Sequence, residues 1–393
     1  MSLMFASKLP DVETTIFTVV SRRAAEFGAL NIGQGFPDFP MDPRLIELVS
    51  EAMREGRNQY AHGDGIPELR REIATKLHRS YRVEVDPATE VTLTCGGTEA
   101  LFSTIQAVVG PGDEVIVFDP AYDAYEPAVR LAGGRCVRIP LLPPTFAVDW
   151  DRFRAALTDR TRLVILNNPH NPACVTHGGD VLDALAAALR GRPIHLLSDE
   201  VYEHVMFDGA QHCSILAHAE LRARGFAVFS FGKTLHATGW RAGYCVAPPD
   251  LTREFRKVHQ FNTFSIATPI QVGIARYLAE NPESWLELPA FFQRKRDLLI
   301  AELQGSGFQL EPAQGTYFQL LDFRAISDDD DVTFVDRMIR QGGVAPIPLS
   351  PFYRERPRLS LLRVCLAKRD ETLRLAAQKL RDFAARVAAG VPG

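Results

Sequence analysis

Residues 162–200 read RLVILNNPHNPACVTHGGDVLDALAAALRGRPIHLLSDE. An apolar, β-rich run, RLVIL (162–166), comes before a segment with apolar residues at helical spacing, VLDALAAALR (181–190), and a second apolar run, IHLLS (194–198), follows it. A strand, a helix and another strand in this order are typical of a βαβ unit, in which the two strands run parallel. The stretch therefore predicts a parallel sheet covered by helices.

The same alternation extends from about residue 88 to residue 248. Helix-length segments such as TEALFSTIQAVV (98–109) separate several of the apolar runs. The further strand candidates are VTLT (91–94), EVIVF (114–118), RCVRI (135–139), AVFSF (227–231) and GYCVA (243–247). Seven candidates in all predict an α/β fold with a mostly parallel seven-stranded sheet between two layers of helices.

Outside this region the pattern changes. After about residue 250 a long helical region leads into a shorter β/α segment that ends in LRLAAQKLRDFAARVAA (373–389), and the first 45 residues are rich in Gly and Pro. We interpret residues 46–285 as a large domain. Residues 1–45 form an N-terminal arm that joins residues 286–393 in a smaller α/β domain built from both chain ends.

Composition excludes several classes of function. The chain has 393 residues, a net charge of −4 and no Lys/Arg block, so no nucleic-acid partner is expected. No apolar stretch approaches the roughly 20 residues of a membrane span, and no signal peptide is apparent, so we expect a cytoplasmic protein without a membrane partner. Six scattered cysteines without a C-x-x-C pair indicate reduced thiols. The acidic run at 328–331 indicates a loop and a helix start, so no metal site is expected.

Glycines and prolines follow two of the strand candidates. CGGTE (95–99) leads into a helix, where free backbone N–H groups and the helix dipole favour an anion, although strand-to-helix turns use glycine without any ligand. NNPHNP (167–172) contains two X-Pro bonds that fix the turn, and an ordinary tight turn explains them equally well. Ligands bind beyond the carboxyl ends of the strands in such sheets, so both segments are candidate site loops.

Two charged residues follow buried strand candidates. Asp199 ends IHLLSD, and a buried carboxylate needs a partner, which a cationic ligand would supply. Lys233 follows the apolar run FAVFSF (226–231), where partial burial would lower its pKa and make it an amine nucleophile; the alternative is a lysine that reaches water. Ser230 and Arg241 lie near it in sequence. Together with the anion-binding turn, this set favours a phosphorylated aldehyde as ligand.

SFGKTLHATGWRAGY (230–244) resembles the cofactor-lysine signature of the class I and II aminotransferases, which are fold type I enzymes that use pyridoxal 5′-phosphate (PLP). Within the family, the chain is similar to the bacterial methionine aminotransferases related to kynurenine and glutamine transaminases. Further family segments occur in the family's order over nearly the whole chain: GQGFPDFP (33–40), NQYAHGDGIPELR (58–70), GGTEALF (96–102), DPAYDAYEP (119–127), NNPHNP (167–172), SDEVYEH (198–204), GTYF (315–318) and LLRVCLAK (361–368).

The resemblance implies roles in catalysis and in binding the cofactor ring. Lys233 binds the cofactor aldehyde covalently and, once released by the substrate, moves a proton. Asp199 pairs with the ring nitrogen and keeps it protonated. Asn171 and Tyr202 hydrogen-bond the ring oxygen, and Tyr122 stacks on the ring. Lys233, Asp199 and Tyr202 are thus the expected catalytic residues.

The resemblance also implies a phosphate site and a homodimer. Gly97 and Thr98 at the start of a helix hold the phosphate from one side, and Ser230 and Arg241 hold it from the other. Tyr60 resembles the tyrosine that reaches this phosphate from the neighbouring subunit. The active sites therefore require two copies of the chain.

The substrate residues follow from the same likeness. Arg363 binds the α-carboxylate of an amino acid through two parallel hydrogen bonds, with Asn171 beside it. The backbone at Gly35 closes over that carboxylate. Phe17 and Phe264 occupy the places of pocket aromatics. Because no second arginine is placed for a dicarboxylate side chain, an apolar or thioether amino acid is expected as the donor.

The implied activity is transfer of an amino group from methionine, or from another large apolar or aromatic amino acid, to a 2-oxo acid by a ping-pong mechanism. Three alternatives stay open. A kynurenine or glutamine transaminase would have a similar pocket, because apolar pockets separate similar side chains by only about 1–3 kcal/mol. A cysteine-S-conjugate β-lyase would use the same lysine. A non-catalytic PLP-binding regulator would need a winged-helix segment before the large domain, where only about 45 residues precede it.

Overall fold

The computed structural model describes residues 7–390. Its strands, numbered in chain order, are β1 (Leu30–Asn31), β2 (Val91–Thr94), β3 (Glu114–Asp119), β4 (Arg135–Pro140), β5 (Thr161–Asn167), β6 (His195–Asp199), β7 (Gly225–Ser230), β8 (Gly243–Val246), β9 (Phe318–Asp322), β10 (Val344–Ala345), β11 (Ile347–Pro348) and β12 (Leu361–Cys365).

The α-helices, also numbered in chain order, are α1 (Ile16–Glu26), α2 (Pro43–Arg54), α3 (Pro67–Tyr81), α4 (Gly96–Val108), α5 (Tyr125–Leu131), α6 (Trp150–Ala156), α7 (Gly179–Leu189), α8 (Ala219–Arg222), α9 (Phe231–Thr234), α10 (Pro249–Asn262), α11 (Thr268–Glu280), α12 (Leu288–Glu302), α13 (Asp331–Arg337) and α14 (Asp370–Ala388). Among these described helices, none combines the length and the apolar character that crossing a bilayer requires.

A seven-stranded sheet forms the centre of the fold, in the order β2-β8-β7-β6-β5-β3-β4. Every neighbouring pair from β7 through β4 is parallel, and only β8 runs antiparallel to both of its neighbours. All residues of β3 and β7 are buried, which explains their continuous apolar runs: helices cover both faces of the sheet. The predicted α/β fold with a mostly parallel seven-stranded sheet is confirmed.

Both chain ends contribute to a second region. β11, β12 and β9 form an antiparallel three-stranded sheet, and β1 pairs in parallel with β10, so that the N-terminal arm joins the C-terminal segment. The Arg23 guanidinium also forms an ion pair with Asp336 at 2.7 Å. These contacts are compatible with a smaller domain made from the two ends, whose boundaries stay a prediction.

The sheet brings three polar strand ends together. β5 ends at Asn167, β6 at Asp199 and β7 at Ser230, and Asn167 lies beside Asp199 in the register of the parallel pair. The carboxyl ends of parallel strands meet at one edge of the sheet. The fold therefore places the predicted site residues of three separate segments at one location.

The acidic run at 328–331 has local structural roles. The Asp330 carboxylate caps α13 by accepting from the Thr333 amide at 2.9 Å. Asp331 is buried, and its carboxylate accepts from the amide and the hydroxyl of Ser350, both at 2.6 Å. Within residues 7–390 no group of three or more His, Cys, Asp or Glu side chains is arranged to hold a metal ion.

Candidate functional site

A cavity of about 170 Å³ lies beyond the ends of β5, β6 and β7. Nine of the ten predicted cofactor residues line it, and Tyr60 is the exception. The lining residues are Gly97, Thr98, Leu101, Tyr122, Asn167, Asn171, Asp199, Val201, Tyr202, Ser230, Lys233 and Arg241.

Lys233 points its amine into this cavity from a single helical turn. The predicted strand AVFSF stops one residue early, at Ser230, so Lys233 lies on α9 rather than at the end of a strand. Lys233 Nζ donates to the Tyr317 hydroxyl at 2.7 Å and to the Gly35 carbonyl at 3.4 Å. Burial lowers the pKa of the Lys233 amine to about 8, and the positive charges of Arg241 and Arg363 act in the same direction. About half of the amine is therefore neutral near pH 8, and a smaller fraction, about a tenth, is neutral at pH 7.

Asp199 is a buried carboxylate at the end of β6, and only 4% of it is exposed. Its oxygens accept from the Tyr125 hydroxyl at 2.6 Å and from the Val201 amide at 3.4 Å, and neither donor is a cation. Burial raises the pKa of Asp199 to about 6. Tyr125 also holds the Tyr122 ring edge-on, with centroids 5.7 Å apart. A cationic group bound beside Asp199 would stabilise its ionised form.

The start of α4 provides a backbone site next to Arg241. Gly96 adopts a φ of +75°, and a Cβ there would lie 2.6 Å from Arg241 Nη2. A Cβ on Gly97 would lie 2.9 Å from a Val201 methyl carbon. Both glycines thus allow a close approach that larger residues would prevent, and the first N–H groups of the helix have no partner within it. With Ser230 at the end of β7, this corner of the cavity is suited to an anion.

Arg363 lies in the middle of β12, next to the cavity, with 1% of its surface exposed. Its guanidinium donates through Nη1 to the Asn171 side-chain oxygen and through Nη2 to the Gly33 carbonyl at 3.0 Å. Among the described residues, Nε has no hydrogen-bond partner. A buried guanidinium with an unused donor is suited to a carboxylate. Burial lowers the pKa of Arg363.

Aromatic rings surround the Arg363 guanidinium. Its central carbon lies 3.8 Å from the centre of the Phe318 ring, 5.1 Å from that of Phe17 and 5.6 Å from that of Phe352. Gly35 approaches the same aromatic layer so closely that a Cβ would lie 2.6 Å from Phe318 Cζ. The structure therefore brings the predicted substrate residues Phe17, Gly35 and Asn171 to Arg363.

Two predicted site residues lie elsewhere in this chain. Tyr60 and Phe264 contact each other edge-on with centroids 5.3 Å apart, and they are 85% and 46% exposed. Neither lines the cavity that contains Lys233. Their proposed roles therefore depend on a second copy of the chain.

Sequence reasoning assigned no role to three side chains that contact the site. Asn167 lines the cavity, Tyr125 binds Asp199, and Tyr317 binds Lys233. Each lies in a motif that the sequence did single out: NNPHNP, DPAYDAYEP and GTYF, respectively. A tyrosine within a family motif was a usable signal, but only the folded chain shows which group its hydroxyl meets.

The sequence matches the family model for aminotransferase class I and II over residues 28–380. It is 48% identical to the methionine aminotransferase of Escherichia coli strain K12 over 377 residues. This match covers 96% of this chain and 98% of that relative. Kynurenine–oxoglutarate transaminase 1 of Homo sapiens is 32% identical to it, over 96% of this chain and 98% of that relative.

A solved structure agrees with this result. The structure of YbdL from Escherichia coli, which is described with a methionine aminotransferase function, superposes with a TM-score of 0.95 at 48% identity, covering 97% of this chain and 100% of that chain. The predicted family is confirmed, and so is the fold type that the resemblance implied. The chain belongs to the class I and II aminotransferases.

Proposed function

We propose that this chain is a PLP-dependent aminotransferase that transfers the amino group of methionine to a 2-oxo acid by a ping-pong mechanism. The observation that carries the proposal is the cavity that holds the Lys233 amine together with the buried Asp199 carboxylate and the start of α4. The 48% identity to the Escherichia coli methionine aminotransferase supports the choice of methionine. The aromatic rings of Phe17, Phe318 and Phe352 around Arg363 supply the apolar contacts.

The residues present fit PLP, which combines an aldehyde, a phosphate, a basic ring nitrogen and a ring oxygen. Lys233 offers an amine for the aldehyde. For the ring nitrogen, Asp199 offers a carboxylate whose hydrogen-bond donors within residues 7–390, Tyr125 and Val201, are both neutral. Asn171 and Tyr202 would bind the ring oxygen, and the Tyr122 ring would stack on the cofactor. Gly97, Thr98, Ser230 and Arg241 would hold the phosphate, where the glycines leave room for it.

When bound, the cofactor supplies the aldehyde that takes up the amino group and the conjugated ring that accepts an electron pair from the substrate α-carbon. Lys233 supplies the base: Nζ takes the proton from the α-carbon as the C–H bond breaks. An amine tethered beside the reacting carbon acts at a high effective concentration, and a pKa near 8 suits general-base catalysis.

Arg363 would orient the amino acid. Its unused Nε and its two Nη donors offer a fork for the α-carboxylate, while Asn171 and the 33–36 segment close the site around it. The Phe17, Phe318 and Phe352 rings beside the guanidinium favour an apolar side chain. These contacts support methionine or an aromatic amino acid over a dicarboxylate.

The active unit is proposed to be a homodimer. Tyr60 would reach the phosphate of the partner subunit, and Phe264 would complete the partner's substrate pocket. In this chain the two rings contact each other and are exposed, and Phe261, three residues before Phe264 in the sequence, is 87% exposed. A second copy would cover this apolar surface.

We also propose the domain boundaries: an N-terminal arm at 1–45, a large domain at 46–285 and a small domain at 286–393.

A panel of amino donors tests the substrate assignment. Purified protein with PLP is offered methionine, phenylalanine, tyrosine, kynurenine, glutamine and aspartate, each with several 2-oxo acids, and the new oxo acid is measured. We expect methionine to give the highest kcat/KM and aspartate to be roughly 100-fold poorer or worse, because the pocket leaves its second carboxylate unpaired. A preference for kynurenine or glutamine would support the alternative substrates, and release of pyruvate from a cysteine S-conjugate as the main reaction would support the β-lyase.

Replacing Gly96 with alanine should weaken cofactor binding. Alanine would be strained in the left-handed backbone of Gly96, and its Cβ would displace Arg241 from the phosphate corner. Loss of one charge-assisted hydrogen bond corresponds to about 1.5–3 kcal/mol, so we expect the Kd for PLP to rise at least roughly tenfold. Titration of the apoenzyme with PLP, followed by absorbance, measures this Kd.

Gly112→Ala is the matched control for this change. Gly112 has a φ of +85°, and no atom lies within 4 Å of the position that a Cβ would take, so this variant has the backbone strain without the contact to Arg241. We expect it to lower thermal stability and to keep the Kd of the wild type. Equal PLP affinity in both variants would contradict the placement of the phosphate.

A further inference from the structure

The Tyr317 hydroxyl lies between Lys233 and the N-terminal segment. It accepts from Lys233 Nζ at 2.7 Å and donates to the Gly35 carbonyl at 2.5 Å. Tyr317 has no exposed surface, and its ring packs edge-on against Tyr202 and Phe318, both with centroids 5.0 Å away. Packing on both sides fixes the direction of the hydroxyl.

The hydrogen bonds around Lys233 Nζ determine where its lone pair can point. A neutral amine has two N–H groups and one lone pair. Both of the observed partners, the Tyr317 oxygen and the Gly35 carbonyl, accept from Nζ. The single proton of the Tyr317 hydroxyl is already used by Gly35. The lone pair is therefore left free and directed away from these two acceptors.

The same contacts tie the amine to the segment that closes the site. Besides Lys233, three side chains bind backbone carbonyls of residues 33–36: Arg363 donates to Gly33 at 3.0 Å, Tyr317 to Gly35, and Lys368 to Phe36 at 2.8 Å. Arg363 is the proposed carboxylate ligand and Lys233 is the proposed base. Tyr317 thus connects the position of the segment over the substrate to the position of the base.

We propose that Tyr317 is a positioning residue, which holds the released Lys233 amine with its lone pair toward the substrate α-carbon and locks the 33–36 segment over the site. The inference rests on the proposed function, since it assigns Lys233 as the base. In the step concerned, the α-carbon C–H bond breaks, the proton binds the lone pair of Lys233 Nζ, and the electron pair of the bond stays on the α-carbon, where the conjugated ring of a bound cofactor would accept it. Tyr317 itself gains and loses no proton.

Tyr317→Phe tests the inference. We expect kcat with methionine to fall about 100-fold, the effect of a misplaced catalytic group, while KM changes less than about twofold. Proton abstraction becomes slower, so the deuterium isotope effect from α-deuterated methionine rises. Tyr317→Gln restores an acceptor for the amine and should recover part of the rate. Thermal unfolding of each variant verifies that it is folded.

A measurement on the apoenzyme is independent of activity. Modification of Lys233 by trinitrobenzenesulfonate, followed by mass spectrometry as a function of pH, gives the midpoint for its deprotonation. Removing an acceptor that stabilises the ammonium form should move this midpoint to lower pH in Tyr317→Phe. This measurement tests the contact between Tyr317 and Lys233 even if methionine is not the amino donor.

Tyr353→Phe is the matched control. The Tyr353 hydroxyl is also buried and also donates to a backbone carbonyl, that of Leu141, at 2.8 Å. We expect this variant to keep the wild-type kcat, isotope effect and Lys233 midpoint. If Tyr317→Phe matches Tyr353→Phe in all three, the inference is wrong. If the wild-type protein has no aminotransferase activity with any donor, the proposed function fails instead.

Discussion

Replacement of Lys233 by alanine is expected to lower methionine-dependent amino transfer by roughly 10⁴-fold or more. General-base catalysis alone contributes about 10²–10⁴-fold, and the covalent link to the cofactor is lost as well, because Lys233 is the only lysine among the described residues that line the cavity. The visible absorbance of the bound cofactor, and its bleaching by borohydride with labelling of the Lys233 peptide, should disappear in the same variant. Lys233→Arg is expected to be equally inactive, because a guanidinium is not a base at neutral pH.

Lys257→Ala serves as the control for this experiment. Its ammonium pairs on the surface of α10 with Glu254 at 2.8 Å, and 63% of the side chain is exposed. We expect its removal to change kcat/KM by less than about twofold. Residual activity of Lys233→Ala above about one per cent of the wild type would show that another group abstracts the proton.

Replacement of Arg363 by methionine should separate activity from stability. We expect kcat/KM for methionine to fall about 10²–10³-fold, because the α-carboxylate would then lie in an apolar site without its charged partner. Stability should stay equal or increase, because the change removes a buried guanidinium whose Nε has no partner in the described chain. Replacing a buried ion pair by well-packed apolar side chains is often neutral or stabilising by about 1–4 kcal/mol, and Arg363 is a buried charge whose two hydrogen bonds go to neutral oxygens, those of Asn171 and Gly33. We expect the relief of the buried charge to offset the loss of these two bonds.

Steady-state kinetics and thermal unfolding of the apoenzyme measure both effects. Arg190→Met provides the comparison, because Arg190 forms an exposed ion pair with Glu220 at 2.7 Å. It should change neither quantity appreciably. Strong destabilisation of the Arg363→Met apoenzyme with little loss of kcat/KM would reverse the roles we give to this arginine.

The sheet and most of the cavity could be predicted from the sequence for physical reasons. Strands such as β3 and β7 are buried on both faces, so their apolar runs are continuous and easy to recognise. In a parallel sheet, the residues that follow the strands meet at one edge. This rule brings Asn171, Asp199 and Lys233 into one cavity, although more than 60 residues separate the first from the last.

Other parts of the site depend on long-range packing that no local pattern encodes. The helical turn at Lys233 replaces the last residue of the predicted strand. The bond from Arg363 to Asn171 joins residues 192 positions apart, and the contact between Tyr317 and Lys233 joins residues 84 apart. Tyr60 and Phe264 are a different case: their expected partners lie on another chain, so neither the sequence pattern nor a single folded chain brings them to the cavity.

The central claim is that the cavity around Lys233 binds PLP and takes the amino group from methionine. A single-turnover experiment tests it most directly: PLP-loaded protein is mixed with methionine in the absence of any oxo acid, and the released 2-oxo acid is quantified against the concentration of active sites. The account predicts one equivalent of the methionine-derived oxo acid per site, with loss of the visible absorbance and its return when a 2-oxo acid is added. No oxo acid from methionine, with the cofactor spectrum unchanged, would contradict it.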